Sequence, residues 1–223
     1  MVRTASLRRK AERVCDLLSS HYGTVSQPRH SPPVDELVLT ILSQNTADVN
    51  SDRAFTALKK AYSGWDDVLA APAEDIAEVI KSSGFFRIKA QRIKAALAEI
   101  MKRVGRLDLS LLKDMDVQEA RAWLMSLYGV GPKTAAIVLL FSFGMPVLPV
   151  DTHVWRVSKR LGLIDKRTTR ERAHTLLENL LPRSCILSLN QHLVKHGREV
   201  CTSRNPHCHA CFLRRPCNYF SGR

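Results

Sequence analysis

The chain has 223 residues, enough for one large domain or two small ones with a substantial core. Its formal net charge of +13 favours an anionic partner, with nucleic acid as the leading class and a merely soluble basic surface as the alternative. No apolar run reaches the ~18 residues of a membrane span and the first residues lack the apolar core of a signal peptide, so we expect an intracellular protein, in the cytoplasm or nucleoid if the source is prokaryotic.

A polar cluster, Ser43-Gln44-Asn45-Thr46, separates two predicted helices. The helix before it, from Val34, is apolar almost all round and should be buried, whereas the helix after it, about 47–62, is amphipathic. A polar cluster directly after a buried helix is either a capping turn or a functional loop. The residues alone leave both interpretations open.

The segment 81–106 is strongly basic, with eight Lys and Arg and a single acidic residue. A Ser-Ser-Gly break precedes Phe85-Phe86-Arg87, which opens a predicted helix to about Val104. Aromatic side chains in a basic loop suit insertion into a base stack, because every base offers a flat face. Phe85 and Arg87 are therefore candidate DNA-contacting residues. Burial of the rings in the core is the alternative, and it applies more to Phe86.

Two glycines divide a pair of predicted helices over residues 116–143. A capping box with Asp116 as the N-cap opens the first helix, which is expected to extend to Tyr128. Gly129 and Gly131 then form a turn, and the following proline suits the first position of the second helix. Glycine permits close approach, and a helix start offers unpaired N–H groups. Together they make a seat for a phosphate.

Lys133 and Thr134 fall in the first turn of that second helix, and Asp151 is the predicted N-cap of the next one. The second helix should climb about 18 Å at ~1.5 Å per residue. The segment from Gly144 to Val150 spans at most about 23 Å when fully extended, which is just enough to run back down the helix. Asp151 can therefore lie beside Lys133.

Four cysteines crowd into seventeen residues near the end of the chain: Cys201, Cys208, Cys211 and Cys217. With no secretory signal, a disulfide framework is disfavoured. The spacing contains a single C-x2-C pair, whereas four-cysteine zinc sites usually have two such pairs. One continuous loop with four thiolates can also wrap an iron–sulfur centre. The residues alone leave zinc and iron–sulfur open.

The segments LYGVGPKTAAIVLL and LPVDTHVWRVSKRLGL, with the cysteine spacing, resemble the helix-hairpin-helix DNA glycosylases (the HhH-GPD superfamily), and most closely the endonuclease III group. The resemblance covers nearly the whole chain. In that family the lysine after the hairpin attacks the sugar C1′ and the aspartate ahead of Thr-His assists. The resemblance thus implies these catalytic roles for Lys133 and Asp151, and it implies that the four clustered cysteines hold a structural [4Fe–4S] cluster.

The resemblance also implies contacts with duplex DNA. In the family, a polar side chain from the loop at Gln44 and Asn45 fills the gap left by the flipped nucleotide. The endonuclease III group commonly has Ser-x-Gln-x-x-Asp there. This chain has Ser-Gln-Asn-Thr-Ala-Asp, so Asn45 stands at the position of the glutamine, and this departure leaves the preferred base open. The implied DNA-contacting residues, with Phe85 as the apolar wedge, are Gln44, Asn45, Phe85, Arg87, Gly129, Gly131, Thr134 and His153.

The expected fold is all-α, with two helical domains that flank a DNA-binding cleft. Residues 33–145 should form a helical barrel that contains the hairpin motif. Residues 1–32 with 146–223 should form the domain that carries the cluster. A final helix, about 185–196, is expected to stop at Gly197. Lys133 and Asp151 would come from opposite sides of the cleft.

The expected activity is that of a monomeric, bifunctional base-excision DNA glycosylase with AP-lyase activity. It would remove damaged bases, with oxidised pyrimidines as the expected class, and nick 3′ to the abasic site by β-elimination. One alternative is a monofunctional mismatch glycosylase that removes T or U opposite G, which would form no Schiff base. The other is a non-catalytic DNA-binding protein, against which the paired lysine and aspartate count.

Overall fold

The computed structural model describes residues 2–23, 25 and 31–222. Over these residues the regular secondary structure consists of α-helices and short 3-10 turns, without strands, so the all-α prediction is confirmed. No helix in the described part is long and apolar enough to cross a membrane.

The chain divides into two compact units, Arg29–Gly144 and Met1–Pro28 with Met145–Arg223. We call the contiguous one the hairpin unit and the discontinuous one the cysteine unit. The hairpin unit contains α2 (Pro33–Leu42), α3 (Asp48–Ala61), α4 (Trp65–Ala70), α5 (Ala73–Val79), α6 (Phe86–Val104), α7 (Val117–Met125) and α8 (Pro132–Phe143). The cysteine unit contains α1 (Val2–Tyr22), α9 (Thr152–Leu161), α10 (Arg170–Leu180), α11 (Ile186–Glu199) and α12 (Asn218–Ser221).

The core of the hairpin unit forms around α2, which packs against α3, α6 and α8. Its apolar side chains, including Leu37, Val38 and Ile41, are buried, as the run from Val34 predicted. The facing helix α8 is also mainly apolar, with Ala135 and Leu139 buried. Burial of each valine, leucine or isoleucine side chain contributes about 1.5–3 kcal/mol, so this apolar contact stabilises the packing of α2 against α8.

The hairpin begins earlier than predicted, because α7 ends at Met125 rather than at Tyr128. The Ser126 hydroxyl donates to the Trp123 carbonyl, and the Leu127 carbonyl accepts from the Val130 N–H, which closes a turn. Gly129 has φ of +80°, a left-handed conformation that ends the helical path. At the other end of α7, the capping box predicted at Asp116 is confirmed.

In the cysteine unit, α9 packs against α10, α11 and α12, and α1 packs against α10 and α11. The expected stop at Gly197 is wrong, since α11 continues to Glu199. A Cβ atom at Gly197 would lie 2.8 Å from the Cβ of His153, so this glycine permits the close approach of α9. Arg156 Nη2 also donates to the Gly197 carbonyl at 2.7 Å, which ties the two helices together. Here the glycine serves helix packing.

Candidate functional site

The first turn of α8 presents a lysine beside backbone N–H groups that no side chain caps in the described structure. Gly131 is the N-cap in an extended conformation, and Pro132 occupies the first helical position as predicted. By contrast, the carboxylates of Asp116 and Asp151 cap α7 and α9. Lys133 is exposed in this first turn. The start of α8 therefore combines anion-binding donors with an accessible amine.

Thr134 lies in the same turn, but its side chain is buried. Its hydroxyl lies 3.5 Å from the Gln44 Nε2 atom, so the side chain faces the interior of the hairpin unit. Of the groups at this position, only the backbone N–H is suited to meet a phosphate.

The side chain of Gln44 is bound to the hairpin. Its Nε2 atom donates to the Gly129 carbonyl at 3.2 Å, and its Oε1 atom accepts from Arg92 Nη1 at 2.6 Å. The neighbouring Asn45 is exposed and has a left-handed backbone with φ of +53°. The structure thus brings the polar loop to the hairpin, with Gln44 as the link and Asn45 as the side chain that projects outward.

Phe85 is not a core residue, because 65% of its surface is exposed. It precedes α6 with φ of +47°, again in the left-handed region. Phe86 is half-buried, and the exposed Arg87 places its guanidinium 5.7 Å from the centre of that ring. An exposed aromatic ring next to an exposed cation suits contact with a base stack and its backbone.

A buried cation that was not expected from the sequence lies beside these loops. Lys89 is 2% exposed, and its Nζ atom donates to the carbonyls of Leu42 and Ser83. Burial, and to a smaller extent the nearby charge of Arg92, lower the pKa of Lys89 to about 8. The available signal was its spacing on α6, four residues before the buried Ile93, which puts Lys89 on the apolar face.

Asp151 and His153 lie at the start of α9 in the cysteine unit. Asp151 Oδ1 accepts from the Val154 N–H at 2.7 Å, so the predicted cap is confirmed. His153 Nδ1 accepts from Arg156 Nη2 at 3.1 Å. Since Lys133 belongs to the hairpin unit, its pairing with Asp151 stays a prediction.

Cys201, Cys208, Cys211 and Cys217 line a single cavity in the cysteine unit. None of the cysteines in the described part forms a disulfide. The pKa of Cys211 is raised to about 11, chiefly by burial and further by the charges of the other three cysteines. No group of His, Cys, Asp or Glu within the described ranges is arranged to hold a single metal ion. The donor set fits a centre that takes four thiolates around one cavity.

Two arginines one turn apart on α9 bind the cysteine loop, and neither was expected from the sequence. Arg156 Nε donates to the Cys201 carbonyl at 3.0 Å. Arg160 Nη1 donates to the Cys201 sulfur at 3.3 Å and to the Thr202 carbonyl at 2.6 Å. The His196 Nε2 atom lies 3.5 Å from the Cys211 sulfur. These contacts orient two of the sulfur donors.

Residues 38–183 match the family model of the HhH-GPD superfamily base excision DNA repair proteins. The chain belongs to this superfamily. The matched range runs from α2 to the end of α10, so it includes the hairpin and the start of α9. The HhH-GPD assignment confirms the family that the sequence analysis identified.

This HhH-GPD chain is similar to endonuclease III in both sequence and structure. Endonuclease III of Thermotoga maritima is 36% identical over 195 residues, which cover 87% of each chain. A solved structure of a trapped endonuclease III–DNA covalent intermediate has a TM-score of 0.81 at 27% identity, over 97% of this chain and 98% of that one. A thermostable thymine-DNA glycosylase shares the fold, with a TM-score of 0.78 at 23% identity over 96% and 98% of the two chains. The fold alone therefore does not identify which base a protein of this superfamily excises.

Proposed function

We propose that the protein is a bifunctional DNA glycosylase with AP-lyase activity that acts in base excision repair. The observation that carries the proposal is the exposed Lys133 in the first turn of α8, directly after the glycine hairpin, in a chain similar to endonuclease III over most of its length. The substrate would be duplex DNA with damaged bases, oxidised pyrimidines foremost, or with abasic sites. The working form would be a monomer inside the cell.

In the proposed reaction, the Lys133 amine attacks the sugar C1′ and the damaged base leaves with the electron pair of the N-glycosidic bond. The attached nitrogen then loses a proton, and the C1′–O4′ bond breaks to leave a protonated Schiff base while O4′ takes up a proton. Removal of a proton from C2′ then expels the 3′ phosphate by β-elimination. Asp151 would stabilise the positive charge that grows on the sugar and would assist proton transfer.

The proposed DNA contacts follow the exposed groups of the site. Backbone N–H groups at Gly129, Gly131 and Thr134 would seat a phosphate, since the start of α8 has no side-chain cap among the described residues. Phe85 would enter the base stack as a wedge, with Arg87 on the adjacent backbone. Asn45 would fill the gap left by the flipped nucleotide, because the Gln44 amide already binds the hairpin. His153 would contact the strand from the start of α9.

We also propose that Cys201, Cys208, Cys211 and Cys217 hold a [4Fe–4S] cluster. When bound, such a cluster would cross-link the loop and neutralise the mutual repulsion of the four thiolates. All four ligands would be cysteine thiolates of this chain, which leaves no ligand position for a substrate. The role of the cluster would therefore be structural. Arg156 and Arg160 would keep the first ligand in place through their bonds to Cys201.

The proposed nucleophile is tested by borohydride trapping on a duplex with one abasic site. Lys133→Gln should abolish both the trapped complex and strand nicking, because the amide cannot form a Schiff base, while DNA affinity falls little. Lys113→Gln removes another exposed lysine of the hairpin unit and serves as the control. If Lys133→Gln still traps, the nucleophile lies elsewhere. If the wild type excises a base but never traps, the protein is a monofunctional glycosylase.

Asp151→Asn separates a catalytic carboxylate from a helix cap. Asparagine still caps, so the fold should lose about 1 kcal/mol or less. The excision rate should fall by two or more decades, about 2.7 kcal/mol in the barrier, because a neutral amide cannot offset cationic charge. Asp116→Asn changes the equivalent cap of α7 and should cost similar stability with near-normal excision. Equal losses of excision activity in the two variants would show that Asp151 only caps α9 and has no catalytic role.

The proposed cluster is tested by composition. The purified protein should be yellow-brown, absorb near ~400 nm and contain about four irons per chain. Cys208→Ser should reduce the yield of folded protein, because the binding energy of such a centre contributes to folding. Cys185→Ser changes a cysteine that does not line the cavity and is the matched control. Stoichiometric zinc without iron would contradict the proposal.

A further inference from the structure

We propose that Lys89 is a positioning residue that locks two DNA-facing loops into one preformed unit and thereby sets the rate of base flipping. The gap loop (43–47) carries Asn45, and the wedge loop (81–85) carries Phe85. The inference rests on the proposed function, because it takes these loops to be the ones that enter the DNA. Lys89 is buried and acts through them.

The ammonium of Lys89 joins the two loops through their backbones. Its Nζ atom donates to the Leu42 carbonyl, where the gap loop begins, and to the Ser83 carbonyl within the wedge loop, both at 2.6 Å. The hydroxyl of Thr46 donates to the same Ser83 carbonyl. Ser82 Oγ donates to the Asn50 carbonyl at 3.2 Å, which ties the wedge loop to α3. The loops are thus bonded to each other on the protein side.

Each loop carries one strained residue next to this bonded centre. Asn45 and Phe85 are the two non-glycine residues with positive φ among those that the structure describes, at +53° and +47°. A side chain at such φ values crowds the backbone, so the conformation persists only where the surroundings impose it. Both side chains are exposed. The two strained residues are therefore the ones whose side chains are proposed to enter the base stack.

The choice of residue argues for a positioning role. A buried ammonium is costly, and it needs several acceptors around it. Lys89 donates to backbone carbonyls of two separate segments, which one ammonium can bridge because it has three donors. Burial and the charge of Arg92 lower the pKa of Lys89, which shows that the environment opposes the charge. What the lysine provides is a fixed distance between the loops.

One turn further along α6, Arg92 extends the same arrangement to the hairpin. Arg92 Nη1 donates to Gln44 Oε1, and Gln44 Nε2 donates to the Gly129 carbonyl. The aliphatic part of Arg92 also packs against Gly129, where a Cβ atom would lie 2.7 Å from its Cγ atom. Helix α6 therefore holds the gap loop, the wedge loop and the hairpin through two neighbouring basic residues.

Preformed loops would enter the base stack without first paying the entropy of becoming ordered. Lys89→Met keeps the length of the side chain and removes its donors. We expect single-turnover excision of a paired damaged base to slow by about ten-fold or more. Strand nicking at a preformed abasic site should change by less than about three-fold, because an unpaired sugar flips at little cost.

The chain offers a matched control on the same helix. Lys94 Nζ also donates to two backbone carbonyls, those of Leu69 and Ala71, near the end of α4. Lys94→Met removes an equivalent set of bonds without touching either loop. Both variants should melt at a lower temperature than the wild type. Only Lys89→Met should have a lower ratio of the excision rate to the rate of nicking at an abasic site.

The experiment follows base flipping by the fluorescence of 2-aminopurine placed beside the lesion, together with excision, nicking and melting temperature. Slowed flipping in Lys89→Met, normal flipping in Lys94→Met and partial rescue by Lys89→Arg would support the proposal. Normal flipping in a folded Lys89→Met, or an equal excision-to-nicking ratio in both Met variants, would overturn it.

Thr46→Val keeps the test decisive if Lys89→Met fails to fold. It removes the hydroxyl bond between the loops and leaves the buried lysine in place. Flipping should slow in this variant, and an unchanged rate would overturn the proposal. Failure of the proposed function is distinguishable, because the wild type itself would then neither excise a base nor form a trapped complex.

Discussion

A buried lysine makes the folding stability of this protein depend on pH in an alkaline window. In the folded chain the pKa of Lys89 is lowered to about 8, first by burial and then by the charge of Arg92, from an ordinary value of 10.5. Between these values the unfolded chain binds more protons than the folded one, so stability rises with pH. Below the lower value both states are protonated, and the cost of burying the charge is fully present.

We therefore expect the melting temperature of the wild type, relative to that of Lys89→Met, to increase as pH rises from about 7.5 to about 9.5. Every other titratable group is common to both proteins, so the difference between the two curves isolates Lys89. Thermal unfolding followed by circular dichroism at a series of pH values would measure it. A difference that stays constant, or that shrinks with rising pH, would show that Lys89 does not titrate in this window.

At the scale of the element, the two glycines of the hairpin have unequal tasks. Gly129 has φ of +80°, and a Cβ atom there would lie 2.7 Å from the Cγ and Cδ atoms of Arg92. Gly131 has φ of −100°, and a Cβ atom there would meet nothing within 4 Å. Gly129 therefore belongs to the packing of α6 against the hairpin, whereas Gly131 leaves room on the outer side for a ligand.

Gly129→Ala should destabilise the protein by about 1–3 kcal/mol, because the left-handed backbone and the contact with Arg92 are both disturbed. Gly131→Ala should change stability by less than about 1 kcal/mol, since alanine accepts its backbone conformation. Thermal unfolding of the two variants under one condition provides the comparison. Similar losses in both would mean that the packing of Arg92 against Gly129 contributes little.

Sequence reasoning succeeded for elements whose cause lies nearby in the chain. The cap at Asp116, the proline that opens α8 and the cap at Asp151 each depend on residues within a few positions. It failed where the cause is a distant partner. The link from Gln44 to Gly129 joins positions far apart in sequence, and Gly197 looked like a stop signal because its contact with α9 cannot be seen locally.

At the scale of the whole molecule, the net charge of +13 should make DNA binding strongly dependent on salt. Each phosphate neutralised lowers log K by about 0.9 per unit of log salt. Two such contacts already weaken binding about ten-fold between ~50 and ~200 mM salt. Affinity measured across this range should fall at least that far, and equal affinity at both ends would contradict phosphate-based binding.

A variant of Phe85 in the wedge loop and a variant of Arg87 in the first turn of α6 make that measurement more specific. Arg87→Ala should reduce the salt slope by roughly one contact, because the exposed guanidinium is proposed to meet a phosphate. Phe85→Ala should leave the slope unchanged, because a neutral ring displaces no counterions. An equal salt slope in the wild type and both variants would show that Arg87 does not contact a phosphate.

The discontinuous course of the cysteine unit has a consequence for synthesis on the ribosome. Helix α1 buries Ala11, Val14 and Leu18 and packs against α11, yet 163 residues separate Tyr22 from Ile186. At ~5–20 residues per second, translation takes about 8–33 s to cover that interval. The hairpin unit is contiguous and can fold as it emerges. Meanwhile, the apolar face of α1 stays uncovered until its partner helix emerges, so this helix is a binding site for a chaperone during that interval.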